Sequence, residues 1–140
     1  MKVTGENVPK PIASFESAGL RNLLQDNVKK AGYLKPTPVQ KHAISIIMAG
    51  RDMMGCAQTG SGKTAAFLLP ILHKILEDGG DAHCGDSPQR PQAVIVAPTR
   101  ELAIQIKDEA RKFGQGSMLK SVVAYGGTST GFQLSTLQRG

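Results

Sequence analysis

Residues 57–64 read Ala57-Gln58-Thr59-Gly60-Ser61-Gly62-Lys63-Thr64, and they lie between an apolar segment and an amphipathic one. The stretch has the form A-x-x-x-x-G-K-T, so Ala57 replaces the first glycine of the phosphate-loop pattern. Glycines let successive backbone N–H groups turn towards phosphate oxygens, and the start of the next helix adds positive potential. Lys63 is placed to reach the β- and γ-phosphates of a nucleotide, and Thr64 to offer its hydroxyl to Mg²⁺. The alternative is a glycine-rich turn between a strand and a helix that binds no ligand.

Apolar segments alternate with helical patterns on both sides of this loop. Continuous apolar runs, typical of strands covered on both faces, occupy residues 53–57, 93–97 and 121–125. Apolar spacings of three and four predict helices over residues 17–31, 37–49, 63–76 and 99–113, with a weaker helical pattern in 128–140. The alternation predicts an α/β fold with a parallel sheet and right-handed crossovers.

Short-range signals place the ends of these helices. Ser17 and Thr37 are predicted N-caps, and Pro38 suits the first turn of the second helix. Gly32 is predicted to end the first helix. Residues 77–91 are rich in glycine, proline and polar side chains, and they are predicted to form a loop.

The composition excludes several classes of protein. With 140 residues and no apolar run near the ~18 residues of a membrane span, we expect one globular domain and no membrane contact. Two cysteines, Cys56 and Cys84, are too few for a disulfide-stapled scaffold, so we expect a reducing intracellular compartment. The net charge of +6 permits a nucleic acid or another polyanion as partner.

The segment upstream of the loop carries a family resemblance. Gly32-Tyr33-Leu34-Lys35-Pro36-Thr37-Pro38-Val39-Gln40 resembles the Q motif of the DEAD-box RNA helicases, and Phe15 matches the isolated aromatic residue that precedes this motif in the family. The resemblance implies that Gln40 holds the adenine edge of ATP and that Tyr33 stacks on its ring, with Phe15 in support. A carboxamide both donates and accepts, which matches the N6 donor and the N7 acceptor of adenine.

Two alternatives stay open for these residues. Thr37-x-x-Gln40 also fits a capping box, in which the Gln40 side chain bonds back to the backbone N–H of the cap. Phe15 by itself fits a core aromatic residue. The two roles of Gln40 are compatible, because different atoms of its side chain can serve them.

Two further turns resemble the RNA-binding elements of the same family. Pro98-Thr99-Arg100-Glu101-Leu102 matches motif Ia, and Gly126-Gly127 matches the GG element. The resemblance implies that the sugar-phosphate backbone of RNA is contacted, without regard to base sequence, by Pro98, Thr99, Arg100, Gly126 and Gly127. The alternatives are structural, namely an N-cap at Thr99, a solvated Arg100 and a glycine turn.

These turns share one position in the predicted fold. In an open parallel sheet, ligands collect at the carboxyl ends of the strands. The phosphate loop, the Pro98 turn and the Gly126 turn each follow a predicted strand. We therefore expect one edge of the sheet to bring all three together.

The sequence of residues 50–72, 109–113 and 125–128 resembles the Vasa branch of the family. The family resemblance covers nearly the whole chain, from about Val8 to Gly140. Belle-type relatives are the close alternative within the family. The resemblance implies a RecA-like P-loop fold of three layers, incomplete at the C-terminus. Residues 1–14 are then an extended lead-in, and residues 15–140 are the N-terminal part of the ATP-binding domain.

The same resemblance implies an activity, cofactors, partners and a location. It implies ATP with Mg²⁺ and RNA-stimulated ATP hydrolysis in the full-length protein, coupled to RNA unwinding or remodelling, with Lys63 and Thr64 as catalytic residues. RNA is the expected partner, with germ-granule proteins beside it, no membrane and a monomeric state. The expected location is the cytoplasm, including the perinuclear granules of germ cells.

The Asp-Glu-Ala-Asp motif of the family does not occur in the chain. Asp108-Glu109-Ala110-Arg111 is similar in letters, but it falls in the helix predicted to begin at Thr99 and has no strand before it. We interpret Asp108 and Glu109 as part of a solvated helix face. Since the catalytic carboxylates and a second RecA-like domain are needed for catalysis, we expect the 140-residue chain by itself neither to hydrolyse ATP nor to separate strands.

Two other classes of function stay open. The first is another P-loop NTPase or a kinase, which a preference for a base other than adenine would indicate. The second is a non-catalytic module that binds RNA or protein and whose phosphate loop has lost its ligand. The intact Gly62-Lys63-Thr64 sequence argues against the second class.

Overall fold

The computed structural model describes residues 1–79 and 90–138. Its α-helices are α1 (Asn22–Lys30), α2 (Pro38–Met48), α3 (Lys63–Glu77), α4 (Arg100–Phe113) and α5 (Thr130–Gln138), and a short 3₁₀ turn occupies Glu16–Ala18. Most of the predicted loop at residues 77–91, with Cys84 in it, lies outside the described residues.

Four of the predicted helices occur where the local patterns place them. α2 starts at Pro38 behind the Thr37 cap, and α3 starts at Lys63 directly after the loop. α4 starts behind the Thr99 cap, and α5 confirms the helical part of the C-terminal segment. Among the described residues, none of the helices combines the length and the apolar character that crossing a membrane requires.

The first helix is shorter than predicted, and the prediction of Ser17 as its N-cap is wrong. α1 begins at Asn22 behind Arg21, whose side chain makes no capping hydrogen bond. Ser17 instead exchanges hydrogen bonds with Ser14, whose backbone N–H lies 3.0 Å from the Ser17 Oγ. Because the two hydroxyls satisfy backbone groups within the 3₁₀ turn, they compete with entry into an α-helix at that point.

The parallel sheet predicted from the apolar segments is not confirmed. In the described part of the chain, residues 53–57, 93–97 and 121–125 form no strand, and no backbone hydrogen bond joins one segment to another. Met54 is 93% exposed and Val96 is 90% exposed, so the segments are not covered on both faces. A strand exists only through backbone bonds to a neighbour, and a parallel sheet also requires cover on both faces. Apolar composition alone therefore does not make these segments strands.

The hydrophobic core lies between four helices. α2 packs along α3, and α4 contacts both α3 and α1. The buried side chains of this core include Phe15, Leu24, Val28, Ile44, Leu68, Leu69 and Phe113. The first turn of α2 lies beside the start of α3, because Gln40 bonds to the Gly62 carbonyl. The phosphate loop leads into α3 at this junction.

Two buried polar side chains tie α1 to its neighbours. The Asn27 amide donates to the Phe113 carbonyl at 2.7 Å and to the Gln115 carbonyl at 2.8 Å, and so closes the C-terminal end of α4. On α3, His73 accepts the Arg21 backbone N–H at Nδ1 over 3.2 Å. These bonds join residues far apart in the sequence and fix α1 against α3 and α4.

Candidate functional site

The phosphate loop ends on the N-terminus of a long helix. α3 has 15 residues, and its N-cap, Gly62, adopts φ +84° and supplies no side-chain cap. The first N–H groups of such a helix lack partners within the helix, and its dipole favours a negative charge there. The start of α3 therefore fits an anionic group, as the sequence predicts.

The Gln40 side chain is fully buried at the junction between α2 and the loop. Its Oε1 accepts the Thr37 N–H at 2.9 Å, which completes the capping box, and its Nε2 donates to the Gly62 carbonyl at 3.2 Å. The Thr37 hydroxyl donates to the Ser61 carbonyl at 2.8 Å. The capping role is thus confirmed, and two side chains of the Q-motif segment hold the backbone of the phosphate loop. Recognition of adenine by Gln40 stays a prediction.

Two polar groups of the loop indicate how it would receive a phosphate. The Lys63 ammonium donates to the Ala57 carbonyl, so the lysine bridges its own loop. The Ser61 hydroxyl is buried and has no hydrogen-bond partner among the described residues. An orphaned buried donor costs about 1–3 kcal/mol, and a phosphate oxygen would remove that cost. The donors present therefore fit a nucleotide phosphate.

The remaining predicted residues of the loop lie at its surface. Gln58, Thr59 and Gly60 are exposed, and Thr64 is half-buried in the first turn of α3. A hydroxyl in this position is a suitable oxygen ligand for Mg²⁺ beside a bound phosphate.

Tyr33 and Phe15 belong to one aromatic cluster. Their ring centroids lie 6.5 Å apart in an edge-to-face arrangement, and Tyr33 lies 5.7 Å from the Phe113 ring at the end of α4. Phe15 is only 3% exposed, as its interpretation as a core residue expects, whereas Tyr33 is half-buried. Of the two, Tyr33 has the free surface that stacking on a base requires. Stacking by Tyr33 stays a prediction, and so does the supporting role of Phe15.

The Tyr33 phenol has an altered acidity. Burial raises the pKa of Tyr33, and the nearby negative charge of Glu109 raises it further. The Lys112 ammonium, 5.8 Å from the Tyr33 ring centroid, opposes this effect. Folding therefore favours the neutral phenol.

Replacing Tyr33 with phenylalanine should remove a loss of stability at high pH. Above the ordinary tyrosine pKa of about 10 the unfolded chain loses the proton before the folded chain does, so stability falls as the pH rises. Below that pH both states keep the proton, and the contribution of the neutral phenol is fully present. Urea unfolding of the wild type and Tyr33→Phe from about pH 8 to about pH 11 checks this. An identical pH dependence of the two proteins would contradict it.

The structure brings the two predicted RNA-binding turns together. The Arg100 guanidinium donates to the Gly126 carbonyl at 3.0 Å and lies 4.6 Å from the centroid of the Tyr125 ring. Gly127 has φ +82°, and a Cβ at this position would lie 3.2 Å from the Arg100 Nη2, so glycine permits this approach. The Thr99 hydroxyl accepts the Leu102 N–H at 3.2 Å, which confirms Thr99 as the N-cap of α4.

Pro98 is exposed directly before that cap. Thr99, Arg100, Gly126 and Gly127 therefore form one surface cluster, which we call the Arg100 cluster. The contacts described above for this cluster involve no residue of the phosphate loop. The expectation that a sheet edge unites them stays a prediction.

The interpretation of Asp108 and Glu109 as helix surface is confirmed. Both residues lie within α4. The Asp108 carboxylate is 3.3 Å from the Lys107 ammonium, and the Glu109 carboxylate is 2.6 Å from the Lys112 ammonium. These carboxylates therefore form ion pairs on the surface of the helix.

Sequence reasoning missed two residues that shape these sites. Gln133 on α5 bonds to the backbone of Tyr125, and Thr37 bonds to the loop through its hydroxyl as well as capping α2. The Thr37 contact could have been expected from the sequence. A cap hydroxyl accepts a hydrogen bond from the helix, and its own proton stays available to donate. Gln133 had no such signal, since its partner lies across a turn that no periodicity predicts.

Comparison with known protein families agrees with these observations. The family model described as DEAD/DEAH box helicase matches residues 37–140. The chain is 59% identical to the ATP-dependent RNA helicase vasa of Drosophila melanogaster, over 100% of this chain and 21% of that protein. It is 53% identical to the probable ATP-dependent RNA helicase DDX4 of Homo sapiens, over 100% of this chain and 19% of that protein. The chain thus spans 19–21% of the length of these curated relatives.

Two solved structures have similar folds. The ADP-bound crystal structure of the RNA helicase Prp28 from Chaetomium thermophilum superposes with a TM-score of 0.81 and 43% identity, over 96% of this chain and 32% of that one. A DEAD box protein from Methanococcus jannaschii gives a TM-score of 0.78 and 29% identity, over 91% of this chain and 33% of that one. The arrangement of the described helices is thus that of known helicase domains.

Proposed function

The chain belongs to the DEAD/DEAH box helicase family, and we propose that it is the part of an ATP-dependent RNA helicase that binds ATP and RNA. The resemblance inferred from the Q motif and the phosphate loop is confirmed, including the similarity to Vasa. Because the chain spans 21% of the Drosophila relative, RNA-stimulated ATP hydrolysis and unwinding are proposed for the whole protein.

The junction between α2 and α3 carries the proposal. Gln40 and Thr37 bond to the carbonyls of Gly62 and Ser61, so the proposed base-reading segment and the phosphate loop form one hydrogen-bonded unit. A base and a phosphate of one nucleotide have to be recognised by neighbouring elements. The Gln40 carboxamide keeps one N–H and one lone pair beyond its two bonds, but the side chain is fully buried, so the proposed contact with adenine requires a local change that exposes it.

The residues of the loop have separate proposed roles. The Lys63 ammonium, the Ser61 hydroxyl and the first N–H groups of α3 hold the phosphates of ATP. Lys63 exchanges the Ala57 carbonyl for a phosphate oxygen, which is the stronger acceptor because it is charged. Thr64 holds Mg²⁺, and the bound ion neutralises charge on the phosphates.

The Arg100 cluster is proposed to bind the sugar-phosphate backbone of RNA. It combines a guanidinium, the N-terminus of the 14-residue helix α4 and exposed glycine backbone. All three recognise phosphate rather than base edges, which supports binding without regard to sequence.

The sheet also belongs to the proposal. We propose that residues 53–57, 93–97 and 121–125 become parallel strands of a RecA-like domain when neighbouring strands are present in the whole protein. The superposition on the Prp28 structure, with a TM-score of 0.81, supports this arrangement.

Titration with fluorescent analogues of ATP and GTP in the presence of Mg²⁺ tests the nucleotide site. We expect saturable binding with a preference for the ATP analogue. Lys63→Ala should weaken binding at least about tenfold, because a hydrogen bond between charged groups contributes about 1.5–3 kcal/mol. Lys74→Ala, an exposed lysine on the same helix, is the matched control and should bind like the wild type.

The other outcomes identify the alternative functions. Equal affinity for both analogues would favour a different P-loop NTPase. RNA binding without any response to nucleotide would favour a non-catalytic module. Phosphate release by the 140-residue chain in the presence of RNA would contradict its expected inactivity. Cytoplasmic and germ-granule location, the granule partners and the monomeric state stay proposals, which imaging and pull-down with a tagged protein would test.

A further inference from the structure

Gln133 makes an unusual set of hydrogen bonds in the described C-terminal segment. Its Oε1 accepts the Tyr125 backbone N–H at 3.1 Å, and its Nε2 donates to the Tyr125 carbonyl at 2.9 Å. The same Nε2 also bonds to the Thr128 hydroxyl. One side chain on α5 therefore holds both backbone groups of a residue that directly precedes Gly126.

In the described chain, this pairing satisfies the Tyr125 backbone in the way that a strand neighbour would. A carboxamide has the same donor and acceptor as a peptide unit, so it satisfies both backbone groups of Tyr125 as a strand partner would. Residues 121–125 form no ladder with another described segment. Without Gln133, the Tyr125 backbone would lose both of these bonds, and the turn that follows would lose its fixed starting point.

The position of Tyr125 in turn determines the position of Arg100. The guanidinium contacts the Tyr125 ring at 4.6 Å from its centroid, and it donates to the carbonyl of the next residue, Gly126, at 3.0 Å. Both contacts are made to the stretch that Gln133 holds. A shift of this stretch would therefore move the two groups that orient the guanidinium.

We propose that Gln133 is a positioning residue for the nucleic-acid site, which sets the Tyr125–Gly126 backbone and through it the orientation of Arg100. The inference rests on the proposed RNA binding by the Arg100 cluster. Gln133 itself contacts no phosphate in this proposal. A residue with a purely structural role would affect stability alone. Loss of Gln133 should instead change the contacts of the Arg100 guanidinium even where the fold is unchanged.

A double-mutant cycle on RNA affinity tests this role. The variants are Gln133→Leu, Arg100→Gln and the double variant, each titrated with a fluorescent oligouridylate at several salt concentrations. Gln138→Leu removes an exposed amide from the same helix and is the matched control. Melting temperature and binding of the ATP analogue show whether each variant is folded.

We expect each single variant to bind RNA about tenfold more weakly than the wild type and the control. Each should reduce the magnitude of the negative slope of log association constant against log salt concentration by about 0.7. This is the value for one lost phosphate contact with a single strand. The double variant should lose less than about twofold more, because both substitutions remove the same contact. Losses that multiply in the double variant, or an unchanged salt slope in Gln133→Leu, would overturn the proposal.

A measurement without RNA keeps this inference separate from the proposed function. In the wild type, the Tyr125 ring should shift the NMR signals of the Arg100 Cδ protons upfield, and Gln133→Leu should abolish that shift. If the wild type binds no RNA, the proposed RNA site is wrong, and the NMR result alone decides whether Gln133 positions Arg100. A retained upfield shift in a folded Gln133→Leu protein would overturn the inference whatever the RNA result.

Discussion

Replacing Gly62 with alanine is expected to abolish measurable nucleotide binding and to lower the free energy of unfolding by about 2–5 kcal/mol. Gly62 has φ +84°, a conformation that costs a residue with a Cβ about 1–2 kcal/mol. The added Cβ would also lie 2.4 Å from the Gln40 Nε2 and 3.1 Å from its Cδ. Gln40 is fully buried and cannot move aside without losing its bonds to Thr37 and Gly62.

Two effects therefore combine at this position. The displaced carboxamide leaves buried polar groups unsatisfied, at about 1–3 kcal/mol. The Gly62 carbonyl keeps its helical bond from the Ala66 N–H but loses the bond from Gln40, so the loop loses that link to α2. Urea unfolding and titration with the fluorescent ATP analogue measure the two consequences on the same sample.

Gly50→Ala is the matched control for this prediction. Gly50 has φ +72°, but a Cβ there would meet nothing within 4 Å, and the residue lies outside the loop. The Gly50→Ala variant should lose about 1–2 kcal/mol of unfolding free energy from backbone strain alone, and its affinity for the ATP analogue should be unchanged. If Gly62→Ala loses no more stability than Gly50→Ala and still binds nucleotide, the contact between Gln40 and the loop has no importance for the site.

Asn27→Leu is expected to cost about 2–4 kcal/mol of unfolding free energy, a large share of the stability of a small domain. The Asn27 amide donates to the carbonyls of Phe113 and Gln115 at 2.7 and 2.8 Å. The last carbonyls of a helix have no partner within the helix, so Asn27 supplies what α4 lacks at its end. Leucine has nearly the same shape, which isolates the loss of the two hydrogen bonds from a loss of packing.

The matched control is Asn22→Leu, an exposed asparagine at the start of the same helix. It should change the unfolding free energy by no more than about 0.5 kcal/mol. Urea denaturation of the three proteins, followed by circular dichroism, gives the comparison. An Asn27→Leu protein as stable as the Asn22→Leu protein would show that solvent satisfies those carbonyls.

The candidate sites were only partly predictable from sequence. The start of α3 at Lys63, the capping box at Thr37 and Gln40, and the cap at Thr99 follow from interactions within about four residues, so a sequence pattern contains them. Ser17 shows the limit of such patterns. Its hydroxyl had a second backbone partner three residues away, and the competing turn was formed instead.

Local sequence patterns alone predicted α2 to α5, the point where the phosphate loop enters α3, and the family of the chain, because each of these depends on neighbours along the chain or on residue identity. The tertiary structure decided that Gln40 bonds to Gly62, that Asn27 closes α4 and that Arg100 meets Gly126. It also decided that residues 93–96 lie exposed in the described chain instead of within a sheet. The physical reason is that a strand, a buried amide and a guanidinium each require a partner distant in sequence. An apolar run or a lone polar residue shows the need for such a partner but does not identify it.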